Sequence, residues 1–146
     1  IFGYTDASTL HYATKLGLAF QLTNIIRDVG DDARRGRIYL PISDLQQFGV
    51  RASDILNGNY SENFSALMAF EAARARALYA EAIGALPKQD QRAQRPGLMM
   101  AAIYYALLAE IEEKYIFLAN SKNSNAGEIW LIRCIHDSSF SLFSRT

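Results

Sequence analysis

The sequence predicts an all-α domain, and three observations carry that prediction. Apolar residues recur at spacings of three and four along most of the chain rather than alternating, which marks helices with one buried face. No run of β-branched residues with a period of two is long enough for a sheet. Glycine and proline together make up only 12 of 146 residues, while half the residues are apolar and 12% aromatic, so the chain can bury a core. A chain of this length corresponds to one domain.

The elements follow in order. A first helix is expected from Thr5 or Ser8 to Asp31, with Thr, Asp and Ser as caps and Gly30 near its other end. It would be about 40 Å long at the α-helical rise. Arg34, Arg35, Gly36 and Arg37 then form a basic link to Ile38, Tyr39, Leu40 and Pro41. Pro41 is placed to open a short connector helix that Gly49 closes. Ser61 and Glu62 open an Ala-rich segment reaching about Leu86, with Phe64, Leu67, Met68, Ala72, Ala75, Leu78, Tyr79 and Ala82 on its apolar side, and Pro87 stops it. A fourth helix begins near Gln91 or Pro96 and carries Leu98, Met99, Ala102, Ile103, Ala106, Leu107 and Ile111. Its first half is expected to be buried, before Glu110, Glu112, Glu113 and Lys114 turn it charged. From Ala119 the composition shifts to Ser and Asn, with one more short helix expected over Glu128 to His136.

Composition narrows the function. Fifteen basic against fifteen acidic side chains leave no net charge, so nucleic acid is not the expected partner. The single Cys134 cannot form an internal disulfide, and no Cys and His spacing fits a zinc site, which points to a reducing, cytoplasmic compartment. The longest nearly unbroken apolar run, Leu98 to Ala109, is well short of the roughly 20 residues a spanning helix needs. The chain opens on Ile1 with no signal peptide to read, and is expected to begin within a longer protein.

The chemistry lies on the first helix. Gly17, Gln21, Asn24, Asp28 and Asp32 follow one another at spacings of four, three, four and four, which sets them along one stripe. Leu16, Leu18, Ala19, Phe20, Leu22, Ile25, Ile26 and Val29 leave most of the remaining girth apolar, as in a buried helix. Amides and carboxylates buried there would need partners, because an unpaired buried polar group costs roughly 1 to 3 kcal/mol and a charge more. Asp28, Asp31 and Asp32 also sit where the helix dipole disfavours negative charge. Mg²⁺ suits such a place, since it takes oxygen ligands from one or two carboxylates and completes its shell with water and substrate phosphate. Asp28 and Asp32 can reach one metal cluster, with the Asn24 amide oxygen one turn earlier. Arg27, Arg34, Arg35 and Arg37 could then grip the remaining phosphate oxygens. Alternating acids and arginines at a helix end equally fit a solvated, salt-bridged face, and spacing alone leaves both readings open.

Leu16-Gly17, Gln21, Asn24-Ile25, Arg27-Asp28, Asp32 and Arg37-Ile38-Tyr39-Leu40-Pro41 resemble the second aspartate-rich signature of the squalene and phytoene synthases, with every fixed position filled. The resemblance continues through Leu45, Phe48-Gly49, Ala73-Arg74-Ala75-Arg76 and Ile103-Tyr104, and so covers roughly residues 1 to 114. The wording looks closest to the bacterial presqualene diphosphate synthases. The resemblance implies an isoprenoid synthase-type helical bundle that joins two prenyl diphosphates head to head, with Mg²⁺ holding the diphosphates. By the same resemblance Asn24, Asp28 and Asp32 are metal ligands and Gln21 lines the substrate cavity; Phe20, its neighbour in the chain, is a further candidate for substrate contact. Arg27 and Arg37 stabilise the leaving diphosphate, and Tyr39 and Tyr104 stand near the reacting groups. Phe20, Leu22, Met68 and Met99 or their neighbours are candidate walls for a dry cavity, though core packing is the commoner role for any one such residue. His11 and His136 lack a paired carboxylate or nucleophile and take no role.

Only the second of the family's two aspartate-rich motifs is present, so the chain is expected to be the C-terminal part of the domain over residues 1–118. On that reading it is inactive without the N-terminal half. Residues 119–146 depart from the family as a Ser- and Asn-rich tail. The substrate is expected to be farnesyl or geranylgeranyl diphosphate, with NADPH needed only if a reductive squalene step follows, and no dinucleotide fingerprint is visible. Such greasy substrates agree with peripheral contact at a membrane surface. The alternative from another class is a noncatalytic helical module that binds prenyl lipid or another helix.

Overall fold

The computed structural model describes the chain over residues 2–120, with side chains through Tyr115. Five helices follow one another: α1 over Ser8–Arg34, α2 over Ile42–Gln47, α3 over Ala52–Leu56, α4 over Glu62–Ala85 and α5 over Arg95–Asn120. Among the described residues there is no strand, as expected. The tail helix expected over Glu128 to His136 lies outside the described residues, as does Cys134.

Three of the four turns have legible causes. α1 runs past Gly30 and ends instead at Arg34, because Gly36 takes the left-handed conformation (φ 71°) that a closing turn requires. The Gly36 N–H donates to the Ala33 carbonyl at 2.9 Å and the Arg37 N–H to the Asp32 carbonyl at 2.8 Å. This Schellman turn binds the start of the Arg37–Leu40 strap to the last turn of α1. Gly49 and Gly58 close α2 and α3 in the same way, with Val50 N–H donating to Leu45 and Asn59 N–H to Asp54. The sequence reading missed α3, although Asn57-Gly58 carries the same stop signal as Phe48-Gly49. At α4 the expected cap forms, the Ser61 hydroxyl accepting from the Phe64 N–H at 3.2 Å.

The core lies between α1, α4 and α5. Tyr12, Leu16, Ala19, Ile26 and Val29 of α1 meet Phe64, Leu67, Met68, Ala72, Ala75, Tyr79 and Ala82 of α4, the face its spacing predicts. Ala101, Leu108, Ile111 and Tyr115 of α5 complete it. Burying each of the larger side chains stabilises the fold by roughly 1.5 to 3 kcal/mol. Gly97 lies against Tyr12, and the Tyr115 hydroxyl donates to the Ile26 carbonyl at 2.9 Å, so α5 runs in the same direction as α1. The turn after α4 returns to the start of α1, where the buried Asp90 carboxylate accepts from both Thr5 donors, the Asp6 N–H and the Thr9 hydroxyl. α4 is therefore antiparallel to α1, and those hydrogen bonds hold the Asp90 carboxyl down to about 2. Thr23 and Tyr79, both buried, share a hydroxyl hydrogen bond of 2.9 Å across the same interface.

One burial expectation is overturned. The first half of α5 does not bury its Met and Ile residues: Met99 is 68% exposed and Ile103 54%. The helix is apolar over most of its girth, so periodicity alone could not choose which side faces α1 and α4. The side that does so is set by small Gly97 and Ala101, which allow close approach.

Candidate active site

The row on α1 is present, but on the open side of the helix. Its buried face is Thr9, Tyr12, Leu16, Ala19, Thr23, Ile26, Val29, Gly30 and Ala33, and at 100° per residue Gly17, Gln21, Asn24, Asp28 and Asp32 lie opposite the middle of that face. Gly17 and Gln21 are exposed, and Asn24, Asp28 and Asp32 are half-buried. The expectation of a helix buried round most of its girth is thus corrected, since α4 and α5 cover one side only. A Cβ at Gly17 would meet nothing within 4 Å, which confirms how open that side is.

Two neighbourhoods form along the row. In the first, the Arg27 guanidinium donates twice to the Asp28 carboxylate, at 2.7 and 2.8 Å. That hydrogen bond, followed by the nearby Tyr104 hydroxyl, raises the Arg27 pKa against the opposing effect of burial. The Tyr104 ring packs against Phe20 with centroids 4.8 Å apart, so an aromatic pair flanks the Arg27 and Asp28 charges. The Asn24 amide oxygen is buried beside them with no hydrogen-bond partner. An amide oxygen left without a donor is free to turn toward a ligand, which fits the role of a metal-binding group.

In the second neighbourhood a shallow pocket at the end of α1 is lined by Ile25, Val29, Asp32, Arg37, Ile38, Tyr39, Leu40 and Ile55. The strap brings Arg37 and Tyr39 to Asp32, and buried Leu40 anchors it. Tyr39 stays 55% exposed at the mouth. Ile55 comes from α3, the helix missed in the sequence. Asp31 pairs with Arg34 rather than joining either group.

Of the proposed cavity walls, Met68 is fully buried between helices and Met99 is exposed, so neither lines this surface. Phe20 and Leu22 are partly buried and pack on the core. His11 is exposed and His136 lies outside the described residues. Among the described residues no three His, Cys, Asp or Glu side chains cluster as a closed metal site. Two carboxylates and an amide make an open set, which suits an ion that also takes water and phosphate. Among the described residues no helix is long and apolar enough to cross a membrane.

The described residues, with helices and no strand and with the longest helix leading through this row into the basic strap, have an all-α fold of the isoprenoid-synthase type. The family model described as squalene/phytoene synthase matches residues 1–116, and the chain belongs to that family. It is 42% identical over 110 residues to a phytoene synthase of Arthrospira platensis, covering 75% of this chain and 36% of that protein. A chloroplastic phytoene synthase of an Oncidium hybrid is 40% identical over 108 residues, 74% of this chain and 26% of the relative. The 15-cis-phytoene synthase of Synechocystis is 42% identical over 100 residues, 68% of this chain and 30% of the relative. The chain thus spans about a third or less of the length of these curated relatives. Their names give no support to the narrower presqualene expectation. No solved structure matches the chain.

Proposed function

We propose that this chain forms one wall of a Mg²⁺-dependent site in which two prenyl diphosphates are joined head to head. The observation that carries the reading is the filled signature from Gln21 to Pro41, folded so that Asp32, Arg37 and Tyr39 border one pocket on the helix that also carries Asn24 and Asp28. Asn24, Asp28 and Asp32 would hold Mg²⁺, which when bound neutralises diphosphate charge and aids departure of the leaving group. Arg27 and Arg37 donate to the diphosphate oxygens as negative charge develops on them. Arg27 would exchange its bond to Asp28 for one to phosphate, freeing the carboxylate for the metal. Phe20 and Tyr104 give the carbocation left behind an aromatic surface in place of water, and Gln21 orients the substrate beside them.

The names of the relatives favour a phytoene-type product over presqualene diphosphate or squalene, in which case NADPH is not required. Because the chain spans about a third or less of the relatives' length, turnover is proposed for the full domain and not for this wall alone. A second reading, the noncatalytic module, is favoured by one observation: Asp28 is already neutralised by Arg27 at a half-open surface.

Calorimetric titration with an unreactive prenyl thiolodiphosphate, with and without Mg²⁺, separates the two. The synthase reading expects Mg²⁺-dependent binding that weakens about tenfold or more in Asp28→Ala, the loss typical of a hydrogen bond or ligand to a charged group. Binding that ignores both Mg²⁺ and Asp28 supports the module instead.

A further inference from the structure

A second group of charges lies inside the fold, away from the row on α1. Glu71 of α4 is fully buried and Asp44 of α2 is 6% exposed. One Arg74 Nη1 donates to Asp44 Oδ2 at 2.8 Å and to Glu71 Oε2 at 3.1 Å. A single guanidinium nitrogen thus draws the two buried carboxyls into one site. Two buried carboxylates sharing one site repel each other as anions, which favours keeping one proton between them. Two acids and one guanidinium leave the cluster at −1 when both acids ionise, and neutral when they keep one proton.

The position of the cluster gives it a consequence. α2 has six residues and buries only Asp44 and Leu45. The Ser43 hydroxyl touches Asp44 at 3.2 Å, and Phe48 at the end of α2 meets the Phe70 ring at 5.2 Å, over which Arg74 also stacks. α2 directly follows the Arg37–Leu40 strap, so what fixes α2 fixes the far end of the strap whose near end is bonded to Asp32. We propose that Glu71, Asp44 and Arg74 form a one-proton clamp whose deprotonation to solvent loosens α2 and, with it, the strap that places Arg37 and Tyr39 beside Asp32.

The electrostatics agree with the geometry. Burial, then the adjacent Asp44 carboxyl, pushes the Glu71 carboxyl up to about 7, with Arg74 opposing. Arg74 and Asp44 are the charged groups acting on Glu71, and among the described residues none from α1, α3 or α5 does. The clamp stands whether or not the site binds diphosphate. Only its consequence for Arg37 and Tyr39 rests on the synthase reading.

The test follows the Glu71 side-chain carboxyl carbon by NMR on the whole chain, together with amide exchange corrected for its intrinsic pH dependence. The expected result is a Glu71 midpoint near 7, with protection of the Phe48, Val50 and Arg37 amides falling about tenfold or more between mildly acid and mildly alkaline pH. In Glu71→Gln, which keeps a donor to Asp44, that protection should not change with pH. In Asp44→Asn the Glu71 midpoint should move down toward the ordinary range, a response that burial alone would not produce. A Glu71 midpoint in the ordinary range, one unmoved in Asp44→Asn, or protection equally pH-dependent in Glu71→Gln would overturn the clamp. Wild-type protein that passes these tests but binds no Mg²⁺–pyrophosphate would overturn the synthase reading and leave the clamp standing.

Discussion

Gly97 of α5 lies against Tyr12 and Leu16 of α1, and a single methyl group there has a calculable cost. A Cβ at this position would lie 2.7 Å from the Tyr12 hydroxyl oxygen, 3.7 Å from its Cζ and 3.8 Å from Leu16 Cδ2. Only the hydroxyl contact is impossible. Tyr12 is 1% exposed, so its ring cannot swing into water to relieve it. Forcing a methyl into a packed interior costs about 1 to 3 kcal/mol. Alanine returns up to about 1 kcal/mol through helix propensity. Gly97→Ala should therefore destabilise the chain by about 1 kcal/mol, measured by urea unfolding with far-ultraviolet circular dichroism. The Tyr12 hydroxyl has no hydrogen-bond partner. Tyr12→Phe therefore discards a buried group whose burial costs roughly 1 to 3 kcal/mol, and should be neutral or stabilising. With the oxygen gone, Gly97→Ala should become neutral or stabilising too, which gives a coupling of about 1 kcal/mol or more in the double-mutant cycle. Additivity within about 0.5 kcal/mol, or a Gly97→Ala chain as stable as wild type, would refute the assigned contact.

Asp90→Asn should flatten the acid limb of stability. The folded carboxyl sits at about 2 against an ordinary 3.8, so its contribution is complete above 3.8 and lost as pH falls toward 2, readable as melting temperature against pH. Glu71 acts with the opposite sign: an acid raised from 4.5 to about 7 favours the fold fully below 4.5 and loses that advantage as pH rises through 7, a decline that Glu71→Gln should remove. Gly17→Ala should raise stability by about 0.5 to 1 kcal/mol, since its Cβ meets nothing. The same change should weaken Mg²⁺-dependent diphosphate binding if the row faces substrate.

The parts of the fold that sequence made legible are those decided within a few residues. The Ser61 cap, the stops at Pro87 and Gly49 and the buried face of α4 each depend on side chains one or two turns apart, and the structure places them as expected. α5 was not legible in that way. Its apolar residues surround the helix, and its inner face was chosen by where Gly97 and Ala101 allow α1 to approach, a property of two helices and not of one. The end of α1 shows the same limit on a smaller scale. Gly30 and Gly36 are equal candidates by composition, and the second stops the helix because its N–H and that of Arg37 reach the carbonyls that need donors.

The candidate site divides along the same line. Gln21, Asn24, Asp28 and Asp32 are neighbours by helical repeat, so a one-dimensional pattern was enough to find them. Whether that row is covered or open depends on what packs against it, and here α4 and α5 take the other side of α1. Asp44 and Glu71 are 27 positions apart in the chain, and nothing local marks either acid as buried. Each reads as an ordinary surface charge until the turn at Gly49 brings α2 back against α4. Arg74 was noticed only as part of a family motif, although its guanidinium is what makes two buried carboxyls tolerable. A chain that bonds Arg37 to Asp32 at one end of a strap, and places a proton-dependent cluster at the other, therefore links the surface of α1 to its interior through six residues of backbone, Ile38 to Ser43.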